Sequence, residues 1–79
     1  MKNAMVTIYS TPTCHFCHMA KEFLQENKIK YTDINVAADY EKAQEMIEKS
    51  GQTGVPVIEI NGRIIIGFDK EEIKQALGL

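Results

Sequence analysis

Both cysteines and both histidines of the chain fall in one stretch, Thr11-Pro12-Thr13-Cys14-His15-Phe16-Cys17-His18. Cys14-x-x-Cys17 is the spacing of a redox dithiol. With His18 added it is also the spacing of covalent haem attachment, and two thiols beside two imidazoles begin a metal site. A fourth reading, a structural staple, gains little, because closing a loop this short stabilises by only about 2 kcal/mol. Small cytochromes with the haem spacing are mostly helical, whereas this chain has four strand-like runs. A mononuclear zinc site needs about four ligands. Cys14, Cys17 and His18 supply at most three, and no distant Cys or His closes the shell. Sharing an iron–sulfur cluster or a metal through Cys14 of two copies is the alternative that stays open.

A dithiol works only where its surroundings favour the thiolate, so the elements around it matter. Met5-Val6-Thr7-Ile8-Tyr9 is β-branched and aromatic, and it stops at Ser10-Thr11-Pro12, as a strand and turn would. Phe16, Met19, Ala20, Phe23 and Leu24 then recur at helical spacing. Thr13 is the expected N-cap of that helix and Asn27 its stop. Lys30 to Val36 alternates as a second strand. Asp39 caps a second helix with Tyr40, Ala43, Met46 and Ile47 on its apolar face, and Gly51 ends it. Val57-Ile58-Glu59-Ile60, Asn61-Gly62 and Arg63-Ile64-Ile65-Ile66 read as a hairpin, since Asn-Gly supplies the positive φ angles of a type I′ turn. Asp69 and Glu72 form a capping box for a last helix buried through Ile73, Ala76 and Leu77. Strands joined through a helix pair in parallel and the hairpin adds antiparallel ones, so the sheet is expected to be mixed.

This order puts Cys14 at the start of the first helix, where unpaired amides and the positive end of the macrodipole favour a thiolate. An unperturbed thiol near pKa 8.5 is only about 3% ionised at pH 7, and helix starts with this motif lower that pKa to about 3.5–7.5. Cys17, one turn on, has its Cα about 5–6 Å away, within disulfide range. An accessible sulfur attacks and a shielded one resolves. His15, when charged, is placed to stabilise the thiolate, whereas His18 lies on the polar side with Glu22 and Gln25.

Seventy-nine residues, 44% apolar and 25% charged, fit one globular domain over residues 1–79. A net charge of −2 gives no electrostatic case for nucleic acid or a membrane surface. No run approaches the roughly 18 apolar residues of a spanning helix, and the start lacks a signal-peptide pattern. A cytoplasmic protein is the expectation, and there a reversible disulfide is usually catalytic.

Gln52-Thr53-Gly54-Val55-Pro56-Val57 is the second informative stretch, because Pro56 stands at the entrance of the best strand yet cannot donate to its ladder. Together with Thr13-Cys14-His15-Phe16-Cys17 and Gly67-Phe68-Asp69, it resembles the glutaredoxin family of the thioredoxin fold, from Val6 to Leu77. The resemblance implies that Cys14 is the nucleophile, Cys17 the resolving thiol and Val55-Pro56 a cis dipeptide. The backbone of Val55 would then pair with substrate as an added strand. It implies that Gly67, Phe68 and Asp69, with Gln52 and Thr53 nearby, form the place for glutathione, whose γ-glutamyl carboxylate would meet amides at a helix start. Thr13, His15 and Phe16 would flank the substrate. His15 stands where the family usually has proline, Phe16 where it has tyrosine, and Phe68 where a small residue is more usual. Some small family members that deal with thioredoxin reductase or other protein dithiols also carry Gly-Phe at that point.

The expectation is therefore an α/β thioredoxin-like domain, a four-stranded mixed sheet with three helices in the order β-α-β-α-β-β-α. Its function would be reduction of protein disulfides or glutathione mixed disulfides by a monomer. It would hold no bound cofactor, and glutathione or a thioredoxin-reductase-type enzyme would be the reductant.

Overall fold

The β-branched run before the cysteines forms β1 (Val6–Ser10), and every other element is arranged around it. α1 (His15–Glu26), β2 (Thr32–Asn35), α2 (Tyr40–Ser50), β3 (Val57–Ile60), β4 (Arg63–Ile66) and α3 (Lys70–Leu77) follow in chain order. The computed structural model describes residues 4–79, so Met1, Lys2 and Asn3 of the amino-terminal stretch lie outside the described residues. The sheet order is β2-β1-β3-β4, with β1 parallel to β2 and antiparallel to β3, and β3 antiparallel to β4. This is the expected mixed four-stranded sheet with three helices.

Alternation along the strands divides the core in two. Ile8, Ile58 and Ile65 lie opposite one another and pack against Ala20, Phe23 and Leu24 of α1 and Ile73 and Leu77 of α3. Tyr9 and Val57 point the other way, onto Met46 of α2. Tyr9 also carries a polar handle: its hydroxyl donates to Glu45 Oε2 at 2.6 Å and accepts from Lys49 Nζ at 3.1 Å. Lys49 in turn pairs with Glu59 Oε1 at 2.8 Å, tying α2 to β3. Among the described residues no helix is long and apolar enough to cross a membrane.

The turns behave as their residues require. Asn61 (φ 51) and Gly62 (φ 88) both take the positive φ of the tight hairpin turn. Asn27 ends α1 and Gly51, in the left-handed region, ends α2. Three expectations need correction. Thr13 does not cap α1; Cys14 does, so the helix starts one residue later. Phe16 and Tyr40 keep helical period but are 57% and 76% exposed, each in the first turn of its helix. The capping box of α3 is half made: Asp69 accepts the Glu72 amide, while the Glu72 carboxylate turns to Arg63 at 3.2 Å.

Candidate active site

β1, β2 and β4 end, and β3 begins, at one edge of the sheet, as the registers Ser10↔Asn35, Tyr9↔Val57 and Val57↔Ile66 require. The loops that carry the cysteines, Val55-Pro56 and Gly67-Phe68-Asp69 therefore emerge together. Residues far apart in sequence share one end of the molecule for that reason alone.

Cys14 has extended backbone angles, φ −90 and ψ 114, and is the N-cap of α1. Its Sγ accepts the Cys17 amide at 3.1 Å, the bond that serine or aspartate oxygen makes at an ordinary helix start. An amide aimed at sulfur, with the helix dipole behind it, favours negative charge there. The same sulfur lies 3.9 Å from the Val55 carbonyl oxygen and is half-buried. Cys17 is fully buried, and its thiol is pushed up to about 11. Burial is the main cause and the neighbouring Cys14 sulfur the next; the Thr11 backbone and the Lys21 charge work in the opposite direction. Both thiols are free. The two sulfurs therefore differ in the way an attacking and a resolving group must.

The peptide bond Val55-Pro56 is cis and Pro56 is buried. The Pro56 carbonyl accepts the Gly67 amide at 2.9 Å, which links the second motif to the third. Gly67 has φ 78, a conformation a side chain would strain. Phe68 is half-buried and packs on the core, edge-on to Phe23 with centroids 6.2 Å apart. At the position before the N-cap it packs where Ile73, at the fourth helical position, is buried, as a hydrophobic staple does. Its ring serves the core instead of standing free in a groove. Asp69 caps α3, whose first turn also holds Glu71 and Glu72, so that helix start already carries its own carboxylates.

Gln52 is half-buried with its amide near the Gly54 carbonyl at 3.5 Å, and Thr53 is exposed. Thr13 is exposed on the turn before Cys14. His15 and Phe16 are exposed and meet edge-on, ring centroids 5.6 Å apart. His18 is exposed as expected, yet its Nε2 donates to the Pro12 carbonyl at 2.9 Å and so braces the turn before Cys14. Among the described residues no three His, Cys, Asp or Glu side chains gather as a metal site. Three residues beside the site escaped the sequence reading: Ser10, Lys21 and Asp33. Only the four-residue interval from Cys17 to Lys21 could have pointed to one of them.

A glutaredoxin family model matches residues 6–65, which span the dithiol, Val55-Pro56 and most of the hairpin. The chain belongs to the glutaredoxin family. A glutaredoxin-like 8.6 kDa protein of Clostridium pasteurianum is 49% identical over 73 residues, covering 92% of this chain and 97% of that protein. Glutaredoxin 3 of Escherichia coli is 38% identical over 66 residues, covering 84% and 80%. The solved structure of the glutaredoxin-like protein NrdH-redoxin from Escherichia coli superposes with a TM-score of 0.81 at 25% identity, over 90% of this chain and 92% of that one. The fold of this family member is thioredoxin-like, and its family supports thiol–disulfide oxidoreductase activity with redox partners such as glutathione or a reductase.

Proposed function

We propose that this chain reduces disulfides through Cys14 as nucleophile and Cys17 as resolving thiol, on proteins or on glutathione mixed disulfides. The asymmetry of the two sulfurs supports this most directly: one is accessible and accepts an amide, the other is buried and held as a thiol. Cys14 thiolate attacks a substrate sulfur, a bond forms between them, and the far sulfur leaves as a thiol after taking a proton. Cys17 then loses its proton and attacks Cys14 Sγ. The Cys14–Cys17 disulfide forms, the second substrate sulfur departs, and two electrons have passed to the substrate. The first step prepares the second: burial remains, but a Cys14 sulfur bonded to substrate no longer raises Cys17 as the free sulfur does.

Val55 presents its backbone beside Cys14 for an extended substrate segment, and Thr13, His15 and Phe16 line the approach. Gln52, Thr53, Gly67, Phe68 and Asp69 are the proposed glutathione-binding positions. The acidic first turn of α3 and the staple role of Phe68 make glutathione the weaker electron donor and a thioredoxin-reductase-type enzyme the stronger. A monomer without a prosthetic group, in a reducing compartment such as the cytoplasm, suffices for this chemistry.

Consumption of NADPH tests the reading, measured with glutathione and its reductase and, separately, with thioredoxin reductase. Turnover is expected with the second, less with the first, and none in Cys14→Ser. A fully active Cys14→Ser protein would end the assignment.

A further inference from the structure

Three polar groups on the α1 side of the sheet take no part in the exchange as described. Ser10, at the end of β1, is 1% exposed, and its hydroxyl donates to Asp33 Oδ1 at 2.8 Å. Asp33 Oδ2 pairs with Lys21 Nζ at 2.7 Å, the lysine side chain being 17% exposed. Register explains why they meet. Asp33 lies opposite Ile8, which faces Ala20 and Leu24 of α1, and Ser10, two residues on, shares that face. Burial opposes charge on Asp33, but the hydrogen bonds from Lys21 and Ser10 outweigh it and hold its carboxyl below the usual range.

Lys21 follows the buried Cys17 by four residues, the neighbouring position on the same helix face. Helical side chains lean toward the N-terminus, so its stem runs back over the turn that carries Cys17. Asp33 fixes the ammonium, whose charge works against the burial that raises the Cys17 thiol. A half-shielded ion pair of this kind contributes little to stability. A positive charge fixed on the helix face of a buried thiol has a chemical use.

We propose that the Lys21 ammonium, anchored by Asp33 and Ser10, promotes the resolving step by stabilising the Cys17 thiolate as it forms. The proposal rests on the dithiol mechanism above and makes Lys21 a positioning residue that acts through Cys17. In the step itself Cys17 S–H gives up its proton, and its sulfur attacks Cys14 Sγ. The bond from Cys14 to the substrate sulfur breaks, the Cys14–Cys17 bond forms, and the departing thiolate takes up a proton. The groups that act on Cys17 are Cys14 at the start of α1, which raises it, and Lys21 on α1 with the uncharged Thr11 backbone, which lower it. Asp33 on β2 pairs with Lys21 and also feels His18.

Removing the ammonium raises the Cys17 titration. Each unit lowers the thiolate fraction about tenfold and returns about threefold in intrinsic nucleophilicity. The net result is resolution about threefold slower per unit near neutral pH.

Stopped-flow reaction of the reduced protein with the aromatic disulfide dithionitrobenzoate separates the two steps. The first thionitrobenzoate is released in proportion to reagent concentration, by attack from Cys14. The second is released at a concentration-independent rate, by attack from Cys17. In Lys21→Met the first phase is expected to hold its wild-type rate, while the second slows, by up to about threefold, and its pH midpoint moves up. Lys21→Arg should restore both. Lys21→Gln, which keeps a donor for Asp33, should behave as Lys21→Met and serves if that variant folds poorly. A second phase with wild-type rate and pH midpoint in these variants, or equal slowing of both phases, overturns the proposal. Loss of the dithiol mechanism itself would look different: Cys14→Ser would still release the first equivalent at the wild-type rate.

Discussion

α1 and α3 begin with the same geometry and opposite chemistry. At α1 the Cys14 sulfur accepts the Cys17 amide at 3.1 Å; at α3 the Asp69 carboxylate accepts the Glu72 amide at 3.2 Å. The first turn of α3 adds Glu71 and Glu72, and that of α2 adds Glu41, whereas the first turn of α1 has no acidic residue. A carboxylate satisfies the helix start permanently. At α1 the positive end is left for a sulfur, and sulfur can leave its capping role to react. One turn of helix thus carries a structural stop in one place and the candidate nucleophile in the other.

Exchanging the chemistry of the two caps should break this difference. Cys14→Ser replaces the sulfur by a good capping oxygen, so disulfide reduction should fall to background while the melting temperature stays within a few degrees of wild type. Activity and calorimetry on the same sample check it. Phe68→Gly removes the staple of α3 and should destabilise by about 2 kcal/mol, since a half-buried ring loses only part of the usual large-to-small cost. The same variant opens the loop and should improve turnover with glutathione. No improvement would count against Phe68 as the residue that disfavours glutathione. Asp69→Ala should lose about 1 kcal/mol, a shift of roughly 4–8 °C in a domain of this size, without slowing alkylation of Cys14.

A subtler inversion places a carboxylate where α1 lacks one. His15→Glu should raise stability by a few tenths of a kcal/mol through the dipole and yet slow thiol exchange several-fold, because the new charge opposes the thiolate. Stability and rate moving in the same direction would contradict the comparison. The smallest effect concerns Cys17. Burial favours its neutral form, lifting it from the ordinary 9.0 to about 11. Its contribution to the reduced protein's stability is therefore whole below pH 9 and is lost as the pH rises through 11. Thermal melts of the reduced protein across that window should show the loss, and Cys17→Ala should remove this part of it.

Local chemistry made some of the fold legible in advance. Asn61-Gly62 allows one tight turn, Gly51 ends a helix where a left-handed residue is needed, and Asp39 and Asp69 cap as short polar side chains do. The parallel pairing of β1 and β2 followed from the helix between them. The register that brings Val55 to Cys14 was not legible, because which strand the hairpin joins is decided by burial across the whole sheet. Phe16 and Tyr40 misled for a related reason: period identifies a helix face but not whether its first turn is covered. Lys21 and Asp33 looked like surface charges, and only the opposition of Asp33 to Ile8 brings them together as a pair on the face of α1 that carries Cys17. Thr13 looked like the cap because oxygen is the ordinary capping atom. The sulfur that took its place is itself the candidate nucleophile.

The most direct measurement of that division of labour is which sulfur reacts first. The reduced, folded protein would be exposed near neutral pH to less than one equivalent of iodoacetamide, and the site of alkylation read by peptide mass spectrometry. Label on Cys14 with Cys17 unmodified is the predicted result. Alkylation of Cys17 at a comparable rate, with the protein still folded, would contradict it.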